Sequence, residues 1–287
     1  MRFVLGLPIR RQDEESSFAD PAVLRDIVTA AEELGFWGVT APDHIVAPAA
    51  WAASGGGEQW FDPFVLLSFL AASTSRIRLI THIIVLPYRG PFAVAKAVAS
   101  LDRLSDGRAV LGAGSGYLKE EFEILGVPYE DRGERTDEAL RAIVHVWTED
   151  RPAFRGRFFS ITDAVVAPGP VQRPRPPIWV GGNSMRAVRR TVELGDCWTP
   201  FVAEPADIAR GVARSVELGR RVEVAAPLGR VQLDPSERAL FGDAVPGRIA
   251  EYTEAGADYL KCGFGGRTPQ AWLANLEWFA GMALGST

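Results

Sequence analysis

The 287-residue chain holds three histidines, and His44 ends the sequence Thr40-Ala41-Pro42-Asp43-His44, directly after a short apolar run. An imidazole placed there gives or takes a proton near neutral pH, and the adjacent Asp43 is a candidate to orient it and raise its pKa. The same residue also reads as a loop histidine bonded to backbone. His82 lies within Ile80-Thr81-His82-Ile83-Ile84-Val85-Leu86-Pro87, where a ring pointing inward among β-branched residues needs a polar partner. A satisfied core histidine is the default reading for His82, and His145, beside Trp147, reads as structural.

Two glycine-bearing stretches are candidates for binding. Gly112-Ala113-Gly114-Ser115-Gly116-Tyr117 lets backbone approach a ligand closely, but it lacks the GxGxxG spacing of a dinucleotide site. Gly181-Gly182-Asn183-Ser184 leads into a helix, so it offers free N–H groups, a hydroxyl and the positive end of the helix dipole to a phosphate. An ordinary helix cap explains it equally well. The segment Ala47–Phe61 carries Trp51, Trp60 and Phe61 around Ser54-Gly55-Gly56-Gly57, a composition suited to a lid, a substrate wall or a subunit contact. Cys197 and Cys262 have neither a CxxC spacing nor a histidine at ligand distance, and read as reduced packing residues.

The elements that must position these residues alternate along the chain. Strands are predicted at Phe3–Leu7, Trp37–Ala41, Ile77–Leu86, Arg108–Ala113, Ile178–Val180, Asp196–Thr199, within Val222–Leu233, and at Ala257–Cys262. Helices are predicted between them, among them Pro21–Leu34, Pro91–Leu104, Gly133–Trp147 and Met185–Leu194. Eight such units suggest an α/β protein folded as a single (β/α)8 TIM barrel over residues 1–287, in preference to an open doubly wound sheet. The proline-rich stretch 149–177 breaks the rhythm and reads as an insertion near the fifth strand, with a small hairpin at Phe154–Phe159. In such a barrel ligands bind where strands exit, which selects the histidine and glycine segments above.

Composition narrows the partners. A chain that is 47% hydrophobic and 23% charged can bury a large core, which excludes disorder and a disulfide-stapled miniprotein. Lys and Arg total 31 against 36 Asp and Glu, and the basic residues form no run, so nucleic acid is excluded as a general partner. No stretch reaches the roughly twenty apolar residues of a membrane span. Met1 to Pro8 is too short for a signal peptide, so a cytoplasmic protein without membrane contact is expected.

Five ordered segments resemble the bacterial luciferase-like flavin and deazaflavin oxidoreductases, and within them the branch that uses coenzyme F420. They are Gly35-Phe36-Trp37-Gly38-Val39 leading to Asp43-His44, Arg76-Ile77-Arg78-Leu79 through Val85-Leu86-Pro87, Leu101 to Arg108, Arg132 to Glu138, and Pro177-Ile178-Trp179-Val180-Gly181-Gly182-Asn183-Ser184. The resemblance runs from Phe3 to about Pro200, and beyond Phe201 only the pattern matches. It implies a cofactor ring at the strand exits beside Gly114 and Ser115, its phosphate held by Gly181, Gly182, Asn183 and Ser184. It also implies a non-prolyl cis peptide at His82–Ile83 beneath the ring, and His44 as the proton donor or acceptor for hydride transfer, oriented by Asp43. Where some deazaflavin dehydrogenases place a glutamate after the fourth strand this chain has Tyr117, which leaves Tyr117, Glu120 or Glu121 as substitutes and makes sugar-phosphate dehydrogenation doubtful. Trp51, Trp60 and Tyr117 would meet a small organic substrate, and relatives imply a homodimer. An FMN-dependent monooxygenase using reduced flavin and oxygen is the nearest alternative reading. A non-catalytic cofactor-binding protein is the alternative of another class.

Overall fold

Short aliphatic runs, buried on both faces, form eight strands: β1 (Arg2–Gly6), β2 (Gly38–Ala41), β3 (Arg78–Thr81), β4 (Ala109–Gly114), β5 (Ile178–Gly181), β6 (Cys197–Thr199), β7 (Glu223–Val231) and β8 (Tyr259–Phe264). In the computed structural model, which describes residues 1–9, 17–56, 60–231, 244–266 and 268–285, every strand runs parallel to its neighbours. β1 pairs with both β2 and β8, and β3 pairs with β4, so the sheet closes into the expected barrel. Closure leaves no free edge and fixes which end of each strand faces the mouth.

The helices that follow the strands are α1 (Pro21–Glu33), α2 (Pro63–Ala71), α3 (Pro91–Leu104), α4 (Arg132–Thr148), α5 (Met185–Leu194), α6 (Pro205–Glu217), α7 (Ala244–Glu254) and α8 (Pro269–Ala283). Five of them start on proline, whose fixed φ suits a first helical turn and whose missing N–H costs nothing there. Asp20, Asp62 and Thr268 cap three of these starts through their side chains. Their apolar faces and the outward faces of the strands make the larger core, from Phe3 and Leu24 to Phe279.

A second, smaller core fills the barrel itself: Val4, Ile80, Val110, Trp179, Cys197, Ala225 and Tyr259, with Trp37 against them. At the end where strands begin, Trp37 stacks on Trp179 with centroids 5.7 Å apart, and Tyr259 leans on both at 4.7 and 5.0 Å. Arg2 lies over the Tyr259 ring at 4.5 Å. Both cysteines are free and buried, as the sequence suggests.

Element ends shift by a residue or two from the sequence expectation, and one strand differs in kind. The run Ile77–Leu86 is not continuous: β3 stops at Thr81, the His82–Ile83 peptide is cis, and Ile84–Val85 resumes pairing with Ala113 and Gly114 of β4. Thr81 makes the break workable, because its hydroxyl donates to Gly112 O at 2.9 Å and accepts from Gly112 N at 2.9 Å, replacing ladder bonds. The insertion does carry a hairpin, Phe154–Arg155 against Ser160–Ile161, folded onto α4 by N–H groups of Arg157, Phe158 and Phe159 that donate to Glu138. The seventh strand is described to Val231, and residues 232 and 233 of the expected range lie outside the described residues.

Helix α6 meets the barrel through Gly211, where an added Cβ would stand 2.1 Å from Cζ3 of the Trp198 ring. Trp198 is 1% exposed and has no room to retreat. Gly211→Ala is therefore expected to lower stability by ~1–2 kcal/mol, overpacking outweighing the ~1 kcal/mol gained in helix propensity. The urea midpoint should fall at unchanged m-value; a midpoint that rises contradicts the packing argument.

Candidate functional site

The mouth is built by segments leaving β2, β3, β4, β5 and β6. After β4 the chain turns at Gly116, in the left-handed region at φ 75°, where a Cβ would lie 2.7 Å from Val85 and 2.8 Å from Phe122. That turn starts a short helix, Lys119–Ile124, which carries Glu121 inward to 1% exposure. Glu121 Oε2 lies 2.9 Å from His44 Nδ1, while Oε1 accepts the N–H groups of Ile45 at 2.9 Å and Val46 at 3.3 Å. Tyr88 is hydrogen-bonded to the same carboxylate, and burial beside Glu121 pushes its phenol well up, so it stays a neutral donor. A carboxylate on Nδ1 favours a proton on that nitrogen and leaves Nε2 as the candidate base.

Asp43 does not do this work, which corrects the sequence expectation. It is 3% exposed, and Arg89 grips it through two bonds, Nη2 to Oδ1 at 2.6 Å and Nε to Oδ2 at 3.0 Å, while Val85 N donates to Oδ2 at 3.2 Å. Burial pushes the Asp43 carboxyl up and the Arg89 guanidinium opposes it. Arg89 also reaches Asp62 at 2.8 Å, the cap of α2, so one guanidinium ties the β2 exit to the end of the tryptophan loop. The two side chains part, Asp43 turning to Arg89 and the Val85 N–H and His44 to Glu121 and the tryptophans.

Around His44 stands an aromatic enclosure. Its ring centroid is 4.6 Å from Trp51 and 4.5 Å from Trp60, which stack on each other at 5.8 Å and 26°. Tyr117 closes a further side edge-on at 6.5 Å and is 63% exposed. Trp51 ends a short helical segment, Ala49–Trp51, that runs on through a wide turn to Gly56, with Gly55 at φ 99°. Gly57 of the expected hinge lies outside the described residues. Phe61 is half-buried and packs toward the outer core instead.

Next to the enclosure is a bay floored by the cis His82–Ile83 peptide that the family resemblance implies. The Ile83 side chain occupies space that only glycines leave open: a Cβ on Gly114 or Gly181 would come within 2.3 or 2.4 Å of its Cδ1. Ser115 is half-buried at the rim. Beyond Gly182, Asn183 accepts Phe201 N at 2.8 Å and Val202 N at 3.2 Å through its side-chain oxygen, so it braces the β6 exit. Ser184 occupies the N-cap position of α5 yet makes no side-chain cap bond. The capping explanation thus fails for Ser184, and its exposed hydroxyl stands at the positive end of a ten-residue helix. A floor kept flat by glycines beside an uncapped helix start fits a planar ring carrying a phosphate.

Sequence reasoning missed two residues here and left a third among alternatives. Glu121 was one of three substitutes. Arg89 has no motif of its own. Lys261, on β8, sits inside the barrel with Nζ 3.0 Å from His82 Nε2, 2.8 Å from Thr199 Oγ1 and 2.8 Å from Pro200 O. Its only signal was a lone lysine in the apolar strand Tyr259-Leu260-Lys261-Cys262. His82 is accordingly a partnered residue, and burial together with the Lys261 charge holds its imidazole well below the usual range, hence neutral. His145 is structural, accepting Ala153 N at 3.1 Å.

Comparison with known proteins shows the family and the fold. The family model described as luciferase-like monooxygenase matches residues 1–240. An uncharacterised protein of Mycobacterium tuberculosis is 30% identical over 259 residues, covering 86% of this chain and 89% of its own. The FMNH(2)-dependent dimethylsulfone monooxygenase of Pseudomonas putida is 29% identical over 196 residues, 67% of this chain and 52% of that one. Among solved structures, the monooxygenase RslO1 from Streptomyces bottropensis superposes with a TM-score of 0.85 at 19% identity, covering 99% of each chain. An F420-dependent secondary alcohol dehydrogenase superposes with a TM-score of 0.78 at 17% identity, over 99% of this chain and 98% of the other. At those identities the two structures share the fold.

Removing the guanidinium leaves a buried carboxylate unpaired, a large penalty. Arg89→Met is expected to lose ~3 kcal/mol of stability by equilibrium denaturation. A loss below ~1 kcal/mol would show that the Asp43 network is dispensable.

Proposed function

Because this chain belongs to the luciferase-like monooxygenase family, we propose that it is an oxidoreductase passing a hydride between coenzyme F420 and a small organic substrate held against His44. The observation that carries this reading is the His44–Glu121 pair, a candidate base with a carboxylate on its Nδ1, set in an aromatic enclosure beside the glycine-floored bay. A protein that only stored a cofactor has no use for a proton-transfer group so supported.

Gly114, Ser115 and the His82–Ile83 segment would hold the ring, and Gly182, Asn183 and Ser184 would hold its phosphate. The coenzyme, when bound, supplies the carbon that carries the hydride. His44 Nε2 takes the proton released by a substrate hydroxyl as hydride leaves, or returns it in the opposite direction. Glu121 keeps the ring from rotating and stabilises the imidazolium that results, as a carboxylate does for any catalytic histidine it faces. Trp51, Trp60 and Tyr117 exclude water and favour an apolar or aromatic substrate.

A second reading, an FMN-dependent monooxygenase, draws support from the similarity to the dimethylsulfone monooxygenase. Titration with F420 and with FMN, followed by quenching of the eight tryptophans, separates the two. Tighter binding of F420 with anaerobic turnover supports hydride exchange; tighter FMN binding with oxygen-dependent turnover supports the alternative. On either chemistry His44→Ala should lower kcat by roughly 10²–10⁴-fold while coenzyme Kd stays within about threefold. Unchanged kcat would remove His44 from the mechanism.

A further inference from the structure

Lys261 is a charge-bearing group that the proton-transfer scheme above does not use. Its Nζ has three polar neighbours, His82 Nε2, Thr199 Oγ1 and Pro200 O, all within 3.0 Å and all neutral acceptors. Thr199 Oγ1 also lies 2.9 Å from His82 Nε2, its other acceptor being Ala225 O at 3.4 Å; with the hydroxyl hydrogen on Ala225 O, the imidazole nitrogen and the Thr199 oxygen are both left to accept from the lysine. Three acceptors around one nitrogen match the three donors of an ammonium. Among the described residues no carboxylate lies within ion-pair distance of it. A cation enclosed by a barrel without a counter-ion is poorly stabilised and gains from an anion brought to it.

The titratable groups facing it offer no such anion. His82 from β3 is neutral, and burial pushes the Cys197 thiol on β6 well up. Val4 on β1 and Pro227 on β7 stand beside Lys261 in register and carry no charge. Two residues back on its own strand is Tyr259, also pushed up by burial, with Glu223 hydrogen-bonded to its hydroxyl and Arg2 beyond, all toward the closed end. The accessible side is the mouth, where His82, Ile83 and Lys261 each retain some exposed surface. Among the described residues, a negative charge therefore approaches from the bay above the cis peptide.

Resting on the coenzyme reading given under Proposed function, we propose that Lys261 is the counter-charge for the anionic reduced ring, making the bay select the reduced coenzyme over the oxidised one. The reduced ring of a flavin or deazaflavin carries negative charge in its pyrimidine half near neutrality, and a nearby fixed cation favours that form. His82, Thr199 and Pro200 position the ammonium by accepting from it.

The test measures Kd for oxidised and reduced FMN and F420, anaerobically, in the wild type and in Lys261→Gln, which keeps an amide donor but not the charge. Lys261→Met serves as a second variant should the first fold poorly, with thermal melts reporting folding. The expected result is roughly tenfold weaker binding of the reduced form with the oxidised form within about twofold. Desolvation holds Lys261 down to about 7, so in the wild type its charge, and the part of the preference that it adds, is present well below that value wherever the ring itself is ionised. It should decline as pH rises through that value, while the ratio in Lys261→Gln follows only the ring's own titration. Equal weakening of both forms, or no change in either, overturns the role of Lys261 and leaves the coenzyme reading standing. A wild type that binds neither coenzyme in either form overturns the coenzyme reading and this proposal together.

Discussion

The buried ion pair between Asp43 and Arg89 holds the rest of the mouth in place. A carboxylate with almost no exposure must be paired, and the guanidinium that pairs it spans three segments: the β2 exit, the Ile84–Val85 extension through the shared Val85 bond, and the Asp62 cap of α2. His44 follows Asp43 directly, so its backbone is fixed before its side chain meets any partner. Glu121 then arrives from the far side and completes the position by binding His44 together with the two N–H groups that follow it. The proton-transfer group thus lies between a carboxylate anchored to Arg89 and one that binds both its ring and the backbone after it.

Much of the fold was legible because closed parallel barrels write themselves plainly into sequence. Strands buried on both faces read as aliphatic runs, and helix starts read as proline, which is why α1 and α3 begin where the spacing puts them. The break in the third strand was invisible to the same logic, since Ile80 to Leu86 keeps its apolar character straight through the cis peptide; only family resemblance located it. In the site, His44, the tryptophans and the glycine stretches announced themselves by residue type. The division of labour between Asp43 and Glu121 did not, because sequence adjacency suggests contact whereas the partners of Asp43 and His44, Arg89 and Glu121, stand 46 and 77 residues away. Lys261 was hidden for a related reason: its partners come from β3 and β6, both distant in sequence.

The two sides of the mouth have different electrostatic characters. On the His44 side a carboxylate faces an imidazole and an aromatic wall surrounds both, an arrangement suited to moving a proton without letting water compete. On the Lys261 side a single cation has neutral neighbours only, an arrangement suited to responding to charge on whatever lies above it. Gly114 and Gly181 both pack so closely on Ile83 that neither position could carry a Cβ.

The stack of Trp37, Trp179 and Tyr259 with Arg2 across it corks the barrel at the end opposite the mouth. Among the described residues that end is filled by rings, so whatever reaches the Lys261 side of the interior comes in past the strand exits.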